Sequence, residues 1–211
     1  MTRVSLSRVH FPVTTLGPGR RVGVWFQGCT IRCPGCISVD TWDRAPGIPT
    51  SELIGRVMQW ADEADGLTVS GGEPFDQPDA LGELLVAWKE AEGGSVLIFT
   101  GHPLERVAPQ LGAWPDLVDV LVTEPYRSDL PQTLALRGSD NQRMVVLTPR
   151  GAEFAGYERV AADDDLRLDA MFDEEGNAWL AGIPRRGDLA RLRRLMAIQG
   201  HAAETSDRIN Q

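Results

Sequence analysis

All three cysteines of the chain fall within eight residues, Cys29-Thr-Ile-Arg-Cys33-Pro-Gly-Cys36, directly behind the apolar run Val22-Gly-Val-Trp-Phe-Gln-Gly28. Such a run reads as a buried strand, which puts the thiols on the loop at its end. Three thiolates spaced four and three residues apart can converge on one face of a [4Fe–4S] cube and leave the fourth iron without a protein ligand. An iron with an open position is a place to bind substrate.

Other uses of the thiols fit less well. A disulfide framework wants an even number of cysteines and a secretory context. A structural zinc site needs four Cys or His ligands, and His10, His102 and His201 are scattered away from the loop. A redox pair Cys33-Pro-Gly-Cys36 leaves Cys29 without a role.

A second motif follows about 35 residues later: Leu67-Thr-Val-Ser-Gly71-Gly72-Glu73-Pro74, a short β-branched strand running into two glycines, an acid and a proline. By itself it reads as a turn. In this order and spacing, the cysteines and Gly71-Gly72-Glu73 together resemble the radical S-adenosylmethionine (radical SAM) superfamily. Gly17-Pro-Gly19-Arg20, Thr41-Trp42 and Leu136-Arg-Gly-Ser-Asp-Asn-Gln-Arg143 narrow the resemblance to the small activating proteins of anaerobic ribonucleotide reductase, over roughly residues 12 to 148.

That resemblance implies a site. Cys29, Cys33 and Cys36 would ligate the [4Fe–4S] cluster, and Gly71, Gly72, Glu73 and Pro74 would bind S-adenosylmethionine. Without side chains, Gly71 and Gly72 would let the backbone meet the amino group of that cofactor. Asn141 and Arg143 could bind its ribose and carboxylate, or belong to a surface loop held by its own turns. Trp42 reads as a core residue or a wall of the site, and His102 as a rim residue or a satisfied loop histidine. The implied partners are a glycyl-radical enzyme or peptide substrate and an electron donor such as flavodoxin or ferredoxin. A radical SAM enzyme acting on a small molecule or a modified peptide is the alternative, and a non-enzymatic iron–sulfur electron carrier a remote one.

The chain has 211 residues and a net charge of −9. An acidic balance without a long basic run argues against nucleic acid as a partner. No apolar run approaches a membrane span, the first residues alternate like a strand rather than a leader, and a cytoplasmic location is expected. The sole lysine, Lys89, falls mid-helix, which disfavours Schiff-base chemistry.

Apolar runs alternate with amphipathic stretches, the pattern of a parallel α/β layer. Strands are expected at 22–27, 67–70, 95–100, 118–122 and 144–147, and helices at 50–64, 78–92 and 104–111. Right-handed crossovers would place every strand end on one rim. The resulting fold class is α/β, a partial (β/α) barrel of radical SAM type with a C-terminal β-hairpin plus helix extension. We assign residues 1–148 to the radical SAM core and 149–211 to the extension, with hairpin strands at 166–172 and 178–183, a turn at 174–177, a helix from Asp188 and a polar tail.

Overall fold

The apolar runs become strands and the amphipathic stretches helices in the computed structural model, which describes residues 2–172 and 177–206. The strands are β1 (Arg3–Val4), β2 (Leu6–Val13), β3 (Arg21–Phe26), β4 (Ile48–Pro49), β5 (Gly66–Gly71), β6 (Ser95–Phe99), β7 (Val120–Thr123), β8 (Arg143–Val146), β9 (Leu168–Phe172) and β10 (Ala178–Gly182). The helices are α1 (Thr50–Met58), α2 (Pro78–Glu90), α3 (Leu104–Ala113) and α4 (Asp188–Ile198). Most of the hairpin turn expected at 174–177 and the end of the tail, 207–211, lie outside the described residues.

A six-stranded mixed sheet runs in the order β2-β3-β5-β6-β7-β8. Its four middle strands are parallel, whereas β2 and β8 pair antiparallel at the two edges. The expectation that all five core strands end on one rim is therefore corrected for β8. The chain between β7 and β8 contains no helix. A parallel return needs a crossover connection, so a chain that lacks one comes back antiparallel.

Side chains alternate across the middle strands, as the period of two requires. Val22, Val24, Phe26, Leu67, Val69, Val96, Ile98 and Leu121 face one side and are buried with Leu53, Val57, Leu81, Leu84, Leu85, Trp88 and Val107 of α1, α2 and α3. All three helices thus cover one face. The opposite face carries Trp25, Leu97, Phe99, Val120 and Val122. It is covered by the 3₁₀ segment Pro149–Tyr157 through Phe154, and by the β9–β10 hairpin through Met171 and Ala181.

At the start of the strands this face is plugged by Arg21, which is fully buried. Its guanidinium donates to Thr68 Oγ1 (2.7 Å), Leu67 O (2.8 Å), Ser95 Oγ (3.0 Å) and Ser95 O (2.7 Å) and lies over the Phe154 ring. Burial pushes its pKa down to about 10, and the ring of acceptors keeps the charged form tolerable. With the start of the strands closed, access to the helix-free face is left at their C-terminal ends. No helix among the described residues is long and apolar enough to cross a membrane.

Candidate cluster and cofactor site

Two turns leave neighbouring parallel strands at that end. The cysteine loop leaves β3 at Gly28, whose φ of +101° suits glycine. Gly28 N donates to Thr41 O (2.7 Å) and Cys29 N to Trp42 O (2.9 Å), closing the loop at its base. The side-chain amide of Gln27 reaches Asp40 O and Asp43 O. Beyond the base, support comes from the other turn: Asp76 accepts from Thr30 N (2.9 Å) and Thr30 Oγ1 (3.0 Å).

The second turn, leaving β5, is pinned directly to the first. Gly72 N donates to Phe26 O (2.8 Å) and Glu73 N to Gly28 O (2.9 Å). This contact gives the two glycines a structural reason of their own, beside the expected approach of a cofactor. A Cβ at Gly71, where φ is +100°, would stand 2.5 Å from Phe26 O; one at Gly72 would collide with the Gly28 carbonyl. The missing side chains make room for the backbone of the cysteine loop.

Glu73 is 1% exposed. One carboxylate oxygen accepts from Phe75 N (3.0 Å) and Thr100 Oγ1 (2.8 Å), the other from Gly101 N (2.9 Å), so Glu73 staples the end of β5 to that of β6. Burial pushes its pKa up to about 7 against these three donors, which pull it down. Pro74 is buried in the 3₁₀ turn that follows, where its ring needs no amide partner.

Cys29, Cys33 and Cys36 are half-buried free thiols. Burial raises all three pKa values, Cys33 to about 11. Ser38 N approaches Cys36 Sγ at 3.4 Å. The indole N–H of Trp42, buried without an oxygen or nitrogen partner, lies beside the same thiol and lowers its pKa. Thiols held neutral by burial become thiolates once a metal supplies the compensating charge. Among the described residues no three His, Cys, Asp or Glu side chains are grouped to hold a single metal ion. All three cysteines line a cavity of about 800 Å³ that also takes in Gly71, Gly72 and Glu73. Three thiols on a common space, with no fourth Cys or His beside them, fit three corners of a [4Fe–4S] cube.

Trp25, Ser70 and Phe99, on the helix-free face of β3, β5 and β6, form the sheet side of this cavity. Trp42 lines it as well. Asn141 and Arg143 do not. Asn141 donates to Pro125 O (2.9 Å) and accepts from Ser139 Oγ (2.8 Å), locking the 125–142 loop. Arg143 projects from β8 and pairs with Glu124 (2.7 Å) and Glu105 (3.5 Å), half exposed. From that segment Gly138 and Gln142 reach the cavity, along with Glu124 and Tyr126. His102 stands behind the turn, 3.7 Å from Asp76, with burial and Arg106 holding its pKa below the usual value.

Sequence reasoning missed three contributors. Asp76 reads as an ordinary acid in a helix-entry turn, and its bond to Thr30 spans 46 positions. Arg8, on edge strand β2, gives no sign of reaching the cavity. Nor does the segment Ala178–Gly187, which supplies its far wall. Only tertiary packing brings these residues to the thiols.

Residues 15–145 match the family described as the 4Fe–4S single cluster domain. The chain is 31% identical over 143 residues to the anaerobic ribonucleoside-triphosphate reductase-activating protein of Salmonella typhimurium, covering 63% of this chain and 93% of that one. The protein of the same name from Enterobacteria phage T4 is 33% identical over 135 residues, 61% of this chain and 85% of that one. The pyruvate formate-lyase-activating enzyme of Listeria monocytogenes is 42% identical over 101 residues, 43% of this chain and 40% of that one. The matched residues contain both turns and most of the sheet, so the fold and the thiol wall agree that this chain belongs to the 4Fe–4S single cluster domain family.

Proposed function

We propose that the chain is a radical SAM enzyme that activates a glycyl-radical partner, as the names of its reductase-activating and lyase-activating relatives suggest. The observation that carries this reading is the shared cavity: three thiols and the Gly71-Gly72-Glu73 turn face one space of about 800 Å³. Its cofactors are a [4Fe–4S] cluster and S-adenosylmethionine. When bound, the reduced cluster supplies one electron that cleaves the S–C5′ bond of S-adenosylmethionine, giving methionine and a 5′-deoxyadenosyl radical that takes a hydrogen atom from the partner's glycine.

The chain's own residues do the holding. Cys29, Cys33 and Cys36 take one iron each. The backbone of the Gly71-Gly72 turn, rigid because it is wedged against Phe26 and Gly28, faces the cofactor's amino group, and Glu73 anchors the turn to the end of β6 behind it. Pro74 fixes the turn from outside the cavity. Gln142 and Gly138, which line the cavity, are the members of the 137–143 stretch that meet the nucleoside in this reading, with Asn141 and Arg143 holding that stretch in shape. In this reading the six-stranded sheet serves as the partial barrel of the superfamily, residues 1–148 are the catalytic core, and 149–211 its extension. A flavodoxin or ferredoxin in the cytoplasm is the electron donor.

Anaerobic reconstitution with iron and sulfide, then dithionite and S-adenosylmethionine, tests the class: 5′-deoxyadenosine must form. A glycyl radical seen by electron paramagnetic resonance in a co-incubated partner tests the target. The wall contributed by Ala178–Gly187 favours a second reading, a small-molecule or peptide substrate, because a small substrate must be surrounded to be held. Transfer of deuterium from a labelled candidate into 5′-deoxyadenosine separates the two.

A further inference from the structure

The family match ends at residue 145, and the Salmonella relative is 93% covered while more than a third of this chain lies outside that alignment. What the remaining chain does is visible in how it is fastened. The β9–β10 hairpin grips the N-terminal edge of the sheet. Asp169 accepts from Thr14 N (2.6 Å), Thr14 Oγ1 (2.9 Å) and Thr15 Oγ1 (3.0 Å), and Thr15 Oγ1 also donates to Ala181 O (3.0 Å). Met171 and Ala181 are buried with Val13, Leu16 and Trp25.

At the mouth of the cavity the guanidinium of Arg8 is held between two indoles, 4.5 Å from the Trp179 ring centre and 5.3 Å from that of Trp25. The same group pairs with Asp40 (3.0 Å), four residues past Cys36, so it links the hairpin to the cysteine loop. From β10 the chain then crosses to the other side of the mouth. Gln132 donates to Pro184 O (2.9 Å), Arg186 donates to Ser128 O (2.8 Å) and Arg127 O (3.2 Å), and its guanidinium lies 5.8 Å from the Tyr126 ring centre. Beyond α4, Ser206 Oγ returns to donate to Ile37 O (2.6 Å), next to Cys36.

We infer that residues 178–206 form a strap fastened at both edges of the sheet that serves as a fixed wall of the reaction cavity, keeping solvent from the cluster and holding the cofactor against the Gly71-Gly72 turn. This goes beyond partner activation and rests on the radical SAM reading of the site. Trp179 and Arg186 act as positioning residues, one at each end of the crossing.

The test uses the full chain, reconstituted anaerobically. Arg186→Ala removes an exposed side chain whose contacts all serve the strap, so the fold should survive it; Trp179→Phe keeps an apolar ring at the other end if Trp179→Ala does not fold. Freed from one fastening, the strap should open more often, and a chelator of ferrous iron should bleach the cluster about tenfold faster than in the unaltered protein. S-adenosylmethionine should bind more weakly by a similar factor, and Arg186→Lys should recover part of both. Bleaching and cofactor binding unchanged in folded, cluster-loaded Arg186→Ala and Trp179→Phe proteins would overturn the wall. The radical SAM reading is judged separately, by whether the unaltered protein makes 5′-deoxyadenosine.

Discussion

The loop from Gly28 to Arg44 and the turn from Gly71 to Gln77 follow neighbouring parallel strands and face the same cavity, yet they are held in different ways. The turn satisfies its own groups: both glycines are wedged against backbone, Glu73 binds three internal donors, and Gln77 reaches Ser5 and Gln27. The loop is closed at its base and borrows its next support, Asp76, from the turn. Its thiols face the cavity with burial holding them neutral. One region is finished by folding. In the proposed reading the other is completed by the cluster, whose binding supplies the charge and the crosslinks that the chain lacks.

The largest expected effect breaks the comparison on the loop side. Cys29→Ala, Cys33→Ala or Cys36→Ala each removes a proposed iron ligand that no spare thiol can replace. Each should abolish the [4Fe–4S] absorption and all 5′-deoxyadenosine formation, while the melting temperature of the cluster-free protein barely moves. A full four-iron cluster with activity in any of the three would refute the assignment.

Gly72→Val comes next and separates two explanations of one glycine. If the missing side chain served the cofactor alone, the cluster would assemble and only cofactor binding would suffer. Because a Cβ there collides with the Gly28 carbonyl, the loop should be pushed off its base at a cost of about 1–3 kcal/mol. Iron content and cleavage should fall together. Full iron loading without cleavage would restore the cofactor explanation.

Asp76→Ala tests whether the turn supports the loop. Two donors on Thr30 lose their acceptor, with about 1–3 kcal/mol of local stability expected to go. Hydrogen exchange should accelerate around Thr30 and leave Val69 and Ser70 protected. Equal acceleration in both regions would mean that loop and turn open as one unit.

Glu73 provides a pH signature of the finished region. Its pKa is raised from 4.5 to about 7 on folding, chiefly by burial. A group raised in this way binds its proton more tightly in the native state. Its contribution is therefore fully present below about pH 4.5 and is lost as the pH rises through about 7. In urea unfolding of the cluster-free protein, the advantage of the unaltered chain over Glu73→Gln should shrink across that window; a constant difference would show that the carboxyl titrates alike in both states.

The smallest effect is expected at Arg143→Ala. The residue is exposed and does not line the cavity; it pairs with Glu124, which does, and with Glu105. Stability should barely change, because an exposed ion pair is screened by solvent and salt, and 5′-deoxyadenosine formation should stay within about twofold of the unaltered protein. A large loss of cofactor affinity would return Arg143 to the site.

Much of this was legible along the chain because the signals are local. Val22 to Phe26 and Leu67 to Val69 are strands in the sequence and in the structure, since a fully buried parallel strand must be apolar on both faces. The cysteine spacing and the Gly71-Gly72-Glu73 turn stood out because few residue types serve there. Helix ends were less legible: the amphipathic pattern from Thr50 runs on past Met58, where α1 stops, because apolar residues in a turn can pack on the core without helical bonds. The direction of β8 and the reach of Arg143 left no local trace.

The sequence by itself determined which residues stand at the candidate site: three thiols on one loop, two glycines and an acid on the next, and strands apolar enough to set them side by side. Those are properties of short segments, where residue type and period act within a few positions. Only the tertiary structure decided that the glycines make room for the cysteine loop, that Asp76 supports it, and that Arg8, Trp179 and Arg186 bind an extension across the cavity mouth. Each of these depends on a contact between residues dozens to more than a hundred positions apart, and such contacts are chosen by packing and hydrogen-bond satisfaction over the whole fold, which no local pattern encodes.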